Sequence, residues 1–287
     1  MPRATAQRIR HDRGGGRVFR LGSRVIVWVI AAAWLSAGAA PARAGAFTLQ
    51  QGEAKLFVSG LLTSGDHYFD GGGKLRSRGR YRKYDLQAFA EYGLWDGFTV
   101  FGSSALERIS AKDGINSTRK GLGRSELGAR LRLFEADGWI ASAQASVTLA
   151  GAKKSEGFAA IGETDDQIDL RGLVARSFEA FGRPWFLDLQ AGYRTRSGDP
   201  ADELRFDATL GVRIAPRWLI LAQSFNTIGL ERWKGPYALR QRIHKLQGAA
   251  LFDLTERLTI YTAVFATPVG KDAMDERGGS VGIGYRF

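Results

Sequence analysis

The sequence has no cysteine. Disulfides, thiolate metal sites and thiol catalysis are therefore excluded. Histidine is scarce, with only His11, His67 and His244 available to act as a base. Beyond residue 40 no apolar run approaches the roughly twenty residues that a membrane-spanning helix needs. Acidic charge is in deficit, since 41 Lys and Arg face 29 Asp and Glu for a formal net charge of +12.

That excess is concentrated at the start of the chain. Residues 1–44 hold eight Arg and one Asp, a net of +7, which leaves about +5 for Gly45–Phe287. A basic region, the apolar stretch VIVWVIAAAWLSAGAA at 25–40 and the small residues of Pro41-Ala42-Arg43-Ala44 read as a secretory signal peptide, residues 1–44. The mature domain is then 45–287, and nucleic acid binding loses its support, because the basic footprint should lie on the folded domain.

Within 45–287 the dominant pattern is two-residue alternation, the signature of strands with one apolar and one polar face. In 139–149, Trp139, Ala141, Ala143, Ala145, Val147 and Leu149 oppose Ser142, Gln144, Ser146 and Thr148. Segments 53–64, 82–94, 185–195 and 204–214 repeat it, and seven weaker segments fit near 98–109, 123–134, 166–178, 218–228, 242–254, 258–268 and 278–287. Twelve strands of ten to thirteen residues result, long enough to cross a membrane when tilted. The connections alternate between long (65–81, 110–122, 150–165, 196–203, 229–241, 269–277) and short (95–97, 135–138, 179–184, 215–217, 255–257). The expected fold is an all-β, twelve-stranded, antiparallel, up-and-down transmembrane barrel with both termini on the short-turn, periplasmic side. Only about eight residues precede the first strand, so no N-terminal plug is expected.

Trp95, Trp139, Trp185 and Trp218 all fall at short turns or at the start of the strand that follows. This predicts an aromatic girdle at one membrane interface. The chain ends GGSVGIGYRF, with Val281, Ile283, Tyr285 and Phe287 on one face. Such a final strand is what the barrel-assembly machinery reads in outer-membrane proteins, so that machinery and outer-membrane lipid are the expected partners.

If apolar faces meet lipid, the polar faces line the lumen. The lumen-lining candidates are Lys83, Asp85, Glu91, Arg130, Arg132, Asp169, Arg171, Asp188, Arg194, Arg205, Asp207 and Arg213. They can form paired networks that fill the lumen, or the charged walls of a pore. Across all assigned inward positions, eleven cations against seven acids tilt an open pore towards anions.

Chemistry beyond this is sparse. His244 lies on the apolar parity near the outer end of its strand, where a lipid hydrolase would need a serine beside it; no nucleophile-elbow pattern accompanies it. Asp165-Asp166 and Asp272, Asp275 and Glu276 are expected to be solvated loop charge rather than a calcium site, because their spacing matches no such loop. Gly71-Gly72-Gly73 reads as a loop tip. No cofactor, no metal and no catalytic residue is assigned.

Tyr68-Phe69-Asp70, Gly73-Lys74, Arg82-Lys83-Tyr84-Asp85-Leu86 and Glu91-Tyr92-Gly93-Leu94-Trp95-Asp96-Gly97-Phe98-Thr99 follow one another. This stretch, chiefly residues 53–110, resembles the proteobacterial outer-membrane proteins of the meta-pathway phenol degradation transporter-like family. Two positions of that family's turn depart, carrying Trp95 for threonine and Gly97 for arginine. The resemblance implies uptake of hydrophobic or aromatic compounds. The expected function is a passive outer-membrane channel or transporter for small solutes, not an enzyme. The alternatives are an outer-membrane phospholipase, or a closed structural barrel whose loops make surface contacts.

Overall fold

The structure is a computed structural model describing residues 45–113, 115–156, 158–160, 162–234 and 238–287. The signal peptide expected at 1–44 lies outside the described residues. Fourteen strands are present: β1 (Ala54–Phe69), β2 (Leu75–Trp95), β3 (Phe98–Asp113), β4 (Ile115–Leu122), β5 (Ser125–Ala136), β6 (Trp139–Leu149), β7 (Gln167–Ala180), β8 (Arg183–Arg196), β9 (Glu203–Ala215), β10 (Trp218–Gly229), β11 (Arg242–Asp253), β12 (Leu258–Lys271), β13 (Ala273–Met274) and β14 (Arg277–Arg286).

Every strand of the wall pairs antiparallel with its neighbour, and β14 pairs with both β12 and β1, from Lys55↔Arg286 to Ser64↔Arg277. The sheet is therefore a closed barrel with no free edge. It has twelve wall strands, because β4 and β5 follow each other along one partner. β4 pairs with the outer half of β3 and β5 with its first half. Between Leu106↔Leu122 and Ser103↔Glu126 the β4–β5 side carries one more residue than β3, a bulge around Gly123 and Arg124.

Alternation decides which way side chains face. Leu127, Leu133, Leu170, Val264 and Val281 are among a long series of large apolar side chains left exposed, strand after strand. So extensive an exposed apolar surface is that of a barrel solvated by lipid rather than water. No helix among the described residues is long and apolar enough to cross a membrane. The short turns are tight: Asp137-Gly138 and Phe181-Gly182 each place both central residues at positive φ (49° and 78°; 53° and 66°). Such mirror-image turns match the strand twist of a two-residue hairpin.

Two expected long loops are strands. The segment 65–81 is mostly continued β1 and β2, leaving only 70–74 as a turn, and 110–122 is continued β3 and β4. Both hairpins lack an apolar face there, with Arg76, Arg78, Arg80, Arg119 and Lys120 among their residues. Backbone pairing does not require an apolar face once strands leave the membrane, so alternation ends before the ladder does. The turn at Gly71–Gly73 is tied by Asp70, whose carboxylate accepts from the Gly72 and Lys74 amides at 3.0 and 2.9 Å.

The core lies inside the barrel. Ile140, Leu173, Phe186, Leu219, Leu221 and Leu251 form an internal apolar cluster near the short-turn end. Polar-face parity thus does not mean a uniformly polar lumen.

Candidate functional site: the doubly closed lumen

At the short-turn end the lumen is entered by the segment before β1. Ala46 is 0 % exposed, and Phe47 and Leu49 are buried with it. The expectation that no plug precedes the first strand is corrected here. Extended chain rises about 3.3 Å per residue, so even six residues reach well into a barrel. Inner-wall side chains satisfy its backbone: the Ala46 amide donates to Asp188 Oδ2 (2.6 Å), the Leu49 amide to Thr99 Oγ1 (2.8 Å), and Arg130 Nη1 to the Phe47 carbonyl (2.9 Å). The Ser142 hydroxyl donates to the Ala46 carbonyl. The Phe47 ring meets Phe186 edge-on, centroids 6.1 Å apart.

Beyond the apolar cluster comes a neutral polar belt. Gln247 Nε2 donates to Gln223 Oε1 (2.8 Å) and to the Tyr261 hydroxyl (3.2 Å), and Gln223 Nε2 to Thr209 Oγ1 (3.2 Å). Arg130 Nε donates to Gln144 Oε1 at 3.0 Å and Nη1 approaches Glu91 at 3.3 Å.

At the long-connection end the segment 150–166 folds inwards. Two single-turn 3-10 segments, 154–156 and 158–160, carry it, and Ala159, Ala160 and Asp165 are buried. It is held by a continuous series of ion pairs. Lys83 Nζ contacts Glu163 and Glu107 at 3.0 Å each and Asp85 at 3.6 Å. Arg124 joins Glu163 to Asp165. Arg196 joins Asp165 to Glu203 (2.8 and 2.6 Å). Arg194 joins Glu203 to Asp169, and Arg171 joins Asp169 to Asp207 (2.6 and 2.7 Å). Arg119 binds Glu107, Glu156 and the Leu122 and Gly151 carbonyls. Burial pushes the Asp165 carboxyl upward, but hydrogen bonds and charge from Arg196 and Arg124 override it and hold it below the ordinary carboxylate range.

All twelve lumen candidates have been located by these contacts except three. Arg132 pairs with Glu135 and Arg213 with Asp253 (2.9 Å), both near the short turns. Arg205 has Asp207 at 3.7 Å as its ion-pair partner, and its Nε is buried without a hydrogen bond. The acids Glu107, Glu163 and Glu203 were absent from the sequence-based set. Asp165 is no solvated loop charge: it is 1 % exposed and carries two guanidiniums. These acids offset most of the basic excess counted from the strands, and Arg205 is the loosely paired cation that remains. Parity alone could have found Glu107 and Glu203, whereas Glu163 and Asp165 enter through a loop that periodicity does not describe.

Trp95, Trp139 and Trp218 border short turns with exposed rings, and Trp185 donates its indole N–H to the Ala180 carbonyl (2.9 Å) across one. Val281, Ile283, Tyr285 and Phe287 are exposed on the outer face of β14 and just beyond it. His244 Nδ1 contacts Asn226 Oδ1, and among the described residues no hydroxyl hydrogen-bonds its ring. No group of Asp, Glu or His among the described residues could hold a metal ion.

No protein-family model and no curated protein matches the sequence. Solved structures do. An outer-membrane channel from Pseudomonas putida F1 superposes with a TM-score of 0.67 at 17 % identity, covering 84 % of this chain and 97 % of that one. The transport unit of the autotransporter AIDA-I from Escherichia coli gives 0.50 at 10 % identity, over 91 % and 97 %. These likenesses show the fold: this chain is built as an outer-membrane β-barrel.

Proposed function

We propose that this chain is a passive outer-membrane channel for small solutes, closed at rest by two segments of its own. One observation carries this reading. The lumen is blocked by residues 45–50 and 150–166, which come from outside the wall and can leave without breaking any wall ladder. Side chains of the wall alone fill a barrel of about eight strands, whereas this one has twelve and takes two inserted segments to fill it. The likeness in fold to the P. putida channel supports the same reading.

The solute class follows from the lining. Phe186 and Leu173 favour an apolar or aromatic body, and Arg205 favours an anionic group. The resemblance to phenol degradation transporters points the same way. In this reading the twelve inward charges line the path, the four Trp rings anchor the periplasmic interface, the last strand addresses the assembly machinery, and no reaction is catalysed. The test is single-channel recording of refolded residues 45–287 in a planar bilayer. Discrete currents that grow when Phe47 is replaced by alanine support a plugged channel. A folded, heat-modifiable barrel that stays silent with both closures removed overturns it.

A further inference from the structure

Asp188 is an exception among the inward carboxylates. It is 1 % exposed, yet its hydrogen-bond donors are neutral: the Ala46 amide and Gln190 Nε2 at 2.8 Å. Among the described residues no Lys or Arg forms an ion pair with it, whereas Asp85, Glu91, Asp169, Glu203 and Asp207 each have one. Arg130 acts on it electrostatically but from beyond ion-pair distance, and a buried carboxylate with no cation in direct contact is disfavoured.

What presses on it is Gly45. This residue has φ +77°, and a side-chain carbon there would lie 1.9 Å from Asp188 Oδ2 and 2.1 Å from Oδ1. The Gly45 nitrogen is two bonds from that point and so lies within about 4.5 Å of the carboxylate. Immediately upstream, Ala42-Arg43-Ala44 has the small-x-small spacing of a signal-peptidase site.

We propose that cleavage between Ala44 and Gly45 creates the missing counter-ion, and that the new α-ammonium of Gly45 pairs with Asp188 inside the barrel and locks the plug. Water adds its hydroxyl to the Ala44 carbonyl carbon, the C–N bond breaks and the water's remaining hydrogen goes to the nitrogen, and the new Ala44 carboxylic acid releases the second proton that makes the Gly45 amine an ammonium. A neutral amide becomes a cation beside a buried carboxylate that has no cation in direct contact. A cut further upstream carries the charge off the carboxylate, and a cut one residue downstream, which would put it on the Ala46 nitrogen already bonded to Asp188 Oδ2, is told apart by the first residue of the mature chain. Glycine is required because any side chain at position 45 meets the carboxylate. Plug docking thereby follows export and processing, and this holds whether or not the barrel conducts.

The test uses the full chain, exported in a Gram-negative host and extracted from its outer membrane. Intact mass should give Gly45 as the first residue. An amine-acylating reagent at neutral pH should modify the Gly45 amine about tenfold more slowly in the folded than in the urea-unfolded protein, the effect of one unit in amine basicity. Asp188→Asn should restore most of that reactivity. Should that variant not fold into a heat-modifiable barrel, Gly45→Ala, whose methyl meets the carboxylate, serves in its place. A first residue other than Gly45, equal reactivity in folded and unfolded protein, or an amine still protected in the folded variant overturns the proposal.

Discussion

Arg196 grips Asp165 through a two-pronged contact, Nε to Oδ2 at 2.8 Å and Nη2 to Oδ1 at 3.2 Å. A strand of the wall thereby holds a loop inside the lumen. The same guanidinium reaches Glu203 at 2.6 Å and stacks over Trp233 at 5.1 Å, so one side chain ties three connections together.

Asp165→Asn should release the loop while leaving the barrel folded. Removing one partner of a buried pair costs about 3–5 kcal/mol, and here that cost falls on docking, since no wall hydrogen bond passes through Asp165. Single-channel conductance and protease cleavage within 150–166 should both rise. Unchanged cleavage in a folded barrel would show that the pair does not hold the loop.

Acid should act the same way, with a definite sign. Asp165 ionises below its ordinary value near 3.8 when folded, so its contribution is fully present above that value and is lost as pH falls through the lower folded-state value. The difference in loop cleavage and conductance between the parent and Asp165→Asn should be constant from neutral pH to about 4 and shrink only below it. A difference that already shrinks between pH 7 and 5 would overturn this assignment.

Arg205→Gln should shift the reversal potential in a salt gradient towards cations. Arg205 is the lumen cation whose partner is 3.7 Å away and whose Nε is unbonded. The paired Arg171→Gln should change selectivity less and stability more, because it takes the shortest ion pair from both Asp169 and Asp207.

Phe181→Asn should stabilise the barrel. Phe181 is 94 % exposed at φ 53°, a backbone region that Asn tolerates and Phe does not. Relief of about 1 kcal/mol is expected, read as a higher temperature for the gel-mobility transition. A lower temperature would mean that the ring contributes more by entering the headgroup zone.

The β-class, the strand count and the wall were legible because alternation is a local property. Trp139–Leu149 reads as a strand from its own residues, and β6 has those bounds. The extended hairpins at 65–81 and 110–122 were not legible, since a water-exposed ladder leaves no apolar trace. The inner ring of charge was legible as residue types but not as partners: Arg124 and Arg196 sit 72 positions apart and meet only at Asp165.

By itself the sequence determined a chain of twelve alternating strands, because side-chain period and turn residues are written one residue at a time. The tertiary structure decided what fills the lumen. Closure sets the six residues from Gly45 against Asp188, Ser142, Arg130 and Thr99, and brings 150–166 onto β2, β4, β8 and the β4–β5 bulge. Those contacts join residues from 31 to 142 positions apart. No pattern along the chain encodes such a distance, which exists only once the first strand has met the last.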